Sequence, residues 1–463
     1  MSELRSLAVA ARYLSREECE ALARQTLGFV TTADAARVNI ASGSRGNTRF
    51  AVNQVSTGGD SFDTTVSVTA YVNTPGAGWR SATSTTNQLD ADGLRHTVQT
   101  AERLAKLAPV DPEYMPELEP QQYEAGRNWS EATASLDPQG RAEAVRAVTA
   151  PASRAGLVST GYLDTRAGAF AVANTRGLFA YARATSAAMT TTVRTPDGTG
   201  SGWAGASHHD VSRIDAPALG ARAADKARAS RTPAAIEPGR YTVVLEPTAV
   251  ANLVQFIANA LGARAADEGR SFFSKAGGKN KIGDKVVDER VTLLSDPFDA
   301  DVAGAPFTGE GLPTRRMVWI ENGVVKTLNY DRYWAQKQGV PATASGGSLR
   351  MSGGSSSLEE MIASTPRGLL VTRFWYLRPV DQRTILYTGL TRDGTFLIEN
   401  GRITRAVKNL RFNDSPVFML NNLEALGTPV RVSASEDGGP GQAVMVPPLK
   451  VREFNFTSLS DAV

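Results

Sequence analysis

Apolar positions along this chain follow two rhythms, a helical one of about 3.6 residues and a strand rhythm of two. Residues 15–27 predict an amphipathic helix. Alternation then takes over: Ala36, Val38 and Ile40 recur at period two, and apolar and hydroxyl side chains alternate through Asp63–Tyr71. Both stretches predict half-buried strands. Leu94, Val98, Ala101, Leu104 and Leu107 return to helical spacing, and the proline- and acid-rich passage Pro109–Gln122 predicts a loop. A helix over Pro138–Val148 follows, then strands within Gly161–Ala184 that turn at Asn174-Thr175-Arg176-Gly177. Val193–His209, rich in glycine, threonine and serine, predicts a surface loop. An alanine-rich helix with a basic face runs from about Pro217 to Ser230.

Thr232–Gly239 has the composition of a linker, and Tyr241–Leu245 opens a new strand, so the spacing predicts two domains, 1–235 and 236–463. The first is an α/β layer. The second is richer in strand-like runs, at Arg316–Ile320, Gly368–Trp375, Thr384–Tyr387 and Thr395–Ile398. Two of these lead into Glu-Asn-Gly, at 321–323 and 399–401, a strong hairpin signal because asparagine and glycine accept positive φ. The fold class is therefore α+β, with a β-rich mixed second domain.

Composition narrows the functions without choosing one. An apolar share of 41% and a charged share of 21% describe a folded chain. The formal charge of +3, without an arginine-lysine block, argues against direct nucleic-acid contact. No run approaches the ~20 apolar residues of a membrane helix and no signal pattern opens the chain, so a cytoplasmic protein is expected. Cys19 is the only cysteine, which excludes an internal disulfide and a thiolate metal cluster. Its acidic neighbours predict a raised thiol pKa.

Three stretches carry a family likeness. The first is Phe307-Thr308-Gly309-Glu310-Gly311-Leu312-Pro313-Thr314-Arg315-Arg316, with Val318–Gly323 and Asp331–Ala335 after it. The second is Phe396–Ile403 continuing through Ala406–Leu410, and the third is Pro247–Gly283. In this order they resemble the TldD/PmbA family, and the expected architecture is that family's two-domain fold. In its catalytic branch the resemblance implies zinc held by a His-Glu-x-x-x-His helix and a cysteine near the C-terminus, with one position left for water. The matching helix here, about 247–269, places Val254 and Asn259 at the histidine positions and Gln255 at the glutamate, with Asp437 near the cysteine position. Neither a hydrocarbon nor a neutral amide replaces those ligands, and no histidine follows His209.

The resemblance thus implies a chain without its own metal or cofactor, paired with a zinc-bearing TldD-like subunit in a heterodimer, or self-associated as a homodimer. Its expected work is to complete a chamber and hold unfolded peptide for proteolysis or peptide maturation. One alternative is a stand-alone enzyme using metal-independent amide hydrolysis or binding a small molecule in the old pocket, with Asn259 and Asp267 as its candidates. Another is a regulatory binding protein. Read without the family, Val250, Leu253, Val254, Ile257, Ala258 and Leu261 make an apolar stripe suited to a core helix, while Gln255 and Asn259 share a second face. The run Arg373-Phe374-Trp375-Tyr376-Leu377-Arg378 combines residue types that dominate interfaces, so Arg373, Trp375 and Tyr376 are candidates for peptide or partner contact. His208-His209 reads as a surface pair, because adjacent residues on an extended chain point apart.

Overall fold

A computed structural model describes residues 13–434 and 443–460. The N-terminal half is built on a six-stranded antiparallel sheet: β1 (Ala35–Ala51), β2 (Gln54–Thr74), β3 (Gly78–Thr86), β4 (Val158–Asn174), β5 (Phe179–Arg194) and β6 (Ser201–His208), ordered β3-β2-β1-β4-β5-β6. Val38, Ile40 and Phe50 of β1 share parity and face the same way. That face carries helices α1 (Arg16–Leu27), α2 (Ala91–Leu107), the short α3 (Glu131–Ala134), α4 (Pro138–Arg154) and α5 (Ala216–Ala229) beside or upon it. Ser15 caps α1 in a reciprocal box with Glu18. α2 buries Leu94, Val98, Ala101 and Ala105, while the expected stripe members Leu104 and Leu107 are exposed. The stripe therefore runs through the alanine one residue past Leu104. α4 continues beyond Val148 through Pro151 to Arg154.

The expected loop over 193–209 is wrong for its second half, because β6 is a full sheet member. Its glycines serve close packing instead of a turn. A Cβ at Gly202 would lie 2.2 Å from the Ala223 carbonyl oxygen, and one at Gly200 2.2 Å from that of Ala227. α5 rests its small alanines directly on this strand.

The C-terminal half contains a nine-stranded mixed sheet and a six-stranded sheet. β7 (Gly239–Leu245) lies centrally in the larger one, parallel to Arg367–Val371 and antiparallel to Leu449–Leu459. Both Glu-Asn-Gly turns close hairpins, with φ of 50° and 78° at Asn322 and Gly323 and 50° and 73° at Asn400 and Gly401. The expected single strand over Gly368–Trp375 is two, Arg367–Val371 and Phe374–Asp381, broken at Thr372-Arg373. Helix α6 (Pro247–Asn259) packs between the sheets, against β7 and Phe374–Asp381 on one side and Val430–Ser433 and Ala443–Val446 on the other.

The first family-like stretch joins the halves. Phe307 is buried against Phe170 and Tyr123, with ring centroids 4.8 and 5.2 Å away. Asn39 Nδ2 donates to the Gly309 carbonyl at 2.7 Å, and Tyr123 Oη to that of Gly311 at 2.8 Å. Glu113 and Arg264 form a bidentate pair at 2.7 Å on both arms, and Lys226 reaches Glu246 at 2.6 Å.

Asp414, beside the final strand, accepts from the backbone N–H groups of Asn455 (2.9 Å) and Ser415 (2.7 Å). Burial nevertheless pushes its carboxyl up to about 6. The folded state therefore holds this proton more tightly than the unfolded chain, whose aspartates titrate near ~3.9. Stability is expected to fall as pH rises between those values. Urea unfolding of the native chain and Asp414→Asn from pH 3.5 to 7 checks this: the variant should lose that component of the pH dependence.

Candidate functional site

Pro247 opens α6 at a position where its missing N–H leaves no hydrogen bond unmade. The helix then buries Val250, Leu253, Val254 and Ile257. The expected helix over 247–269 is interrupted, because Gly262 is drawn into a bridge with Asn329. Asn329 N–H donates to the Leu261 carbonyl at 2.7 Å and Ala263 N–H to that of Asn329 at 2.9 Å. A separate turn, α7 (Ala263–Asp267), follows. A tertiary backbone contact has overridden a continuous helical pattern.

Val254 is 0% exposed, a core side chain with no path to a ligand. Asn252 Nδ2 and Gln255 Nε2 both donate to the Ala434 carbonyl, at 3.1 and 2.8 Å. Asn252 Oδ1 accepts from Phe374 N–H at 3.2 Å. Asn259 is exposed at the helix end, so the face expected to unite it with Gln255 is divided between a buried tether and solvent. Asp437 lies outside the described residues. Asp267 is held by Trp334 Nε1–H at 2.7 Å and Asn280 Nδ2–H at 2.8 Å, so both its oxygens are engaged in fixing the loop after α7. A hydrocarbon and two neutral amides do not fit a zinc ion. Among the described residues no group of three or more His, Cys, Asp or Glu could hold a metal.

The aromatic run forms a second locus. Arg373, buried although charged, sits 4.4 Å over the Trp203 ring and 3.5 Å from Asp393. Asp393 also accepts from Ser201 Oγ at 2.5 Å, so β6 and the C-terminal sheet meet on one carboxylate. Arg392 stacks 4.2 Å over Trp375. Arg373, Trp375, Arg392, Trp203, Tyr162 and Arg194 line an interdomain cavity of about 470 Å³. Tyr376, with φ of 55°, is 45% exposed beside it. The sequence-predicted residues thus separate into Arg373 and Trp375 in this cavity, Tyr376 at its side, and Asn259 and Asp267 at the end of α6 and in α7. Asp393, Trp203 and Arg392 were missed. Asp393-Gly394 is a turn signal in sequence, and nothing local tells that its carboxylate faces an arginine.

His208 and His209 are not a loop pair on the surface. Both are half-buried at the end of β6, with ring centroids 4.3 Å apart. Burial and the nearby Arg431 charge press His208 down to about 4 and lower His209 as well. Cys19 is fully buried, and burial, with a smaller contribution from Glu18, pushes its thiol up to about 11. The acidic neighbours expected to matter most are secondary.

A helix buried between two sheets, behind a separate six-stranded layer, makes this a mixed α+β protein. Residues 238–458 match the PmbA/TldA metallopeptidase C-terminal domain and residues 130–231 the PmbA/TldA metallopeptidase central domain. The chain belongs to the PmbA/TldD family. It is similar to TldE from Thermococcus kodakarensis at 18% identity, with a TM-score of 0.81 over 95% of this chain and 99% of that one. A metalloprotease of Methanothermobacter thermautotrophicus is 26% identical over 51% of this chain and 53% of its own length. Metalloprotease PmbA of Escherichia coli O157:H7 is 23% identical over 48% and 49%. The chain thus spans about half the length of the curated relatives it matches. No helix among the described residues is long and apolar enough to cross a membrane.

Proposed function

We propose that this chain is the metal-less subunit of a TldD/TldE-type heterodimeric metallopeptidase. It completes a chamber and helps hold unfolded peptide while a zinc-bearing partner cleaves the bond. The observation that carries the reading is the state of α6. At the positions the family resemblance assigns to zinc ligands, Val254 is a core residue and Asn259 a neutral amide, and at the general-base position Gln255 is tied to the Ala434 carbonyl. An amide committed to a backbone oxygen takes no proton from water at neutral pH. The Arg373–Trp375 locus supplies the aromatic and guanidinium surface with which such a subunit would meet peptide or partner.

The test is metal content and solution mass for this chain purified alone, then co-expressed with a zinc-bearing TldD-like chain from the same cell. The expected result is no stoichiometric zinc in the lone chain, one zinc per heterodimer, and peptidase activity in the pair alone. Stoichiometric zinc in the lone chain, or peptide hydrolysis by a homogeneous metal-free sample, would overturn the proposal. The second outcome would favour a stand-alone enzyme.

A further inference from the structure

Where β6 ends, its last residues face the C-terminal domain across a cavity of about 410 Å³. Arg431 enters from the strand Val430–Ser433, donating through Nε to the Ser207 carbonyl at 2.6 Å and through Nη1 to the Asp301 carbonyl. Both acceptors are neutral backbone oxygens, and among the described residues no carboxylate lies within ion-pair distance of this guanidinium. The nearby acids Asp299 and Asp301 are engaged with Arg350 instead, at 2.7 Å each. Arg166 lines the opposite wall, and its partner Asp164 is shared with Arg45, so two guanidiniums stand on one carboxylate. No acidic residue lines the cavity among the described residues.

Two of the polar groups around these cations can give hydrogen bonds. His208 Nδ1 accepts from Asp210 N–H at 2.9 Å, which places the proton of the neutral ring on Nε2 and makes that atom a donor. Ser207 Oγ, in a residue lining the cavity, is a buried hydroxyl without a protein partner and can donate, whereas the unpaired Asn128 Oδ1 is an acceptor and adds nothing to the donor set. A buried unpaired hydroxyl or amide is costly and unusual in a native protein. A guanidinium, an uncommitted hydroxyl and the His208 imidazole N–H make the donor set of an anion site; Asp210, Asp299 and Asp301 lie near enough to act on His208 and Arg431 through space, but none of them lines the cavity.

We propose that this interdomain cavity binds a small oxyanion, the carboxylate or phosphate group of a ligand, with Arg431 as its charged anchor. The ligand would touch β5, β6 and the strand carrying Arg431 together, and so bind best when the two domains are docked. No residue of α6 lines the cavity, and failure of the proposal would leave the metal-less reading untouched.

Calorimetric titration of the full chain with inorganic phosphate and with sodium acetate, at low chloride, tests it. The expected result is saturable one-to-one binding of at least one anion, weakened about tenfold or more in Arg431→Gln, as loss of a charge-assisted bond requires. Binding of phosphate alone would assign a phosphate ligand, of acetate alone a carboxylate ligand, and of both an undiscriminating oxyanion site. Ser207→Ala, which leaves the carbonyl held by Arg431 in place, carries the test if Arg431→Gln does not fold, and should weaken binding several-fold. No saturable binding of either anion overturns the proposal. Binding unchanged in the folded variants does the same.

Discussion

Asp393→Ala is expected to lower the folding free energy by about 3–5 kcal/mol, the cost of breaking a buried ion pair from one side. Arg373 and Asp393 have side chains 6% and 4% exposed and stand 3.5 Å apart. Truncating the acid removes a carboxylate from the guanidinium beneath Trp203 and the acceptor of Ser201 Oγ, one of the bonds that join β6 to the C-terminal sheet. Replacing Arg373 and Asp393 together with apolar residues of similar size should cost much less, because the buried guanidinium leaves with its carboxylate and only the longer, more exposed Arg392 contact at 3.9 Å is lost. Urea unfolding of the single and double variants separates the two cases. A loss below about 1 kcal/mol in Asp393→Ala would show that water reaches the cluster and screens it.

Glu102→Ala is expected to cost about 3 kcal/mol, and the loss should be confined to pH values at which the glutamate is ionised. Glu102 is 3% exposed, and its Oε1 accepts from the backbone N–H groups of Thr31, Thr32 and Ala33 at 2.8, 2.6 and 3.0 Å. Oε2 takes the Thr31 hydroxyl at 3.2 Å. Without this carboxylate the turn between α1 and β1 loses its acceptor, and the three donors must find water or remain unpaired. Burial alone would raise the carboxyl, but the N–H groups of Thr32, Thr31 and Ala33 outweigh it and hold it below the usual glutamate range. The sign follows from that depression. The contribution is complete above the unfolded glutamate pKa, near ~4.3, and is lost as pH falls through the lower folded value. Chemical unfolding at pH 7 and pH 3 should show a large difference between native and variant proteins at pH 7 and a smaller one at pH 3.

What could be read from the sequence depended on whether the deciding interaction was local. The Asn322-Gly323 and Asn400-Gly401 turns were legible because the residue types themselves permit the positive φ that a tight hairpin demands. The start of α6 was legible for the same reason, through Pro247 and its apolar spacing. Its end was not, since the break comes from Asn329, a residue some seventy positions away in the chain. β6 was misread because glycine and serine imitate a loop when their purpose is to let α5 approach. The candidate site divides similarly. Val254 and Gln255 could be judged from their chemistry alone. The Ala434 carbonyl that occupies Gln255, and the meeting of Asp393 with Arg373, arise from pairing across sheets and leave no local pattern.

The state of Cys19 has a practical consequence for following this protein in solution. The chain's only sulfhydryl is sealed on the buried face of α1 and holds its proton tightly, so the native chain offers a maleimide no competing target. A single cysteine introduced at an exposed position such as 376 would be the one point of attachment for a dye or spin label. The molecule carries its own blank background for spectroscopy, without the need to remove a natural thiol first.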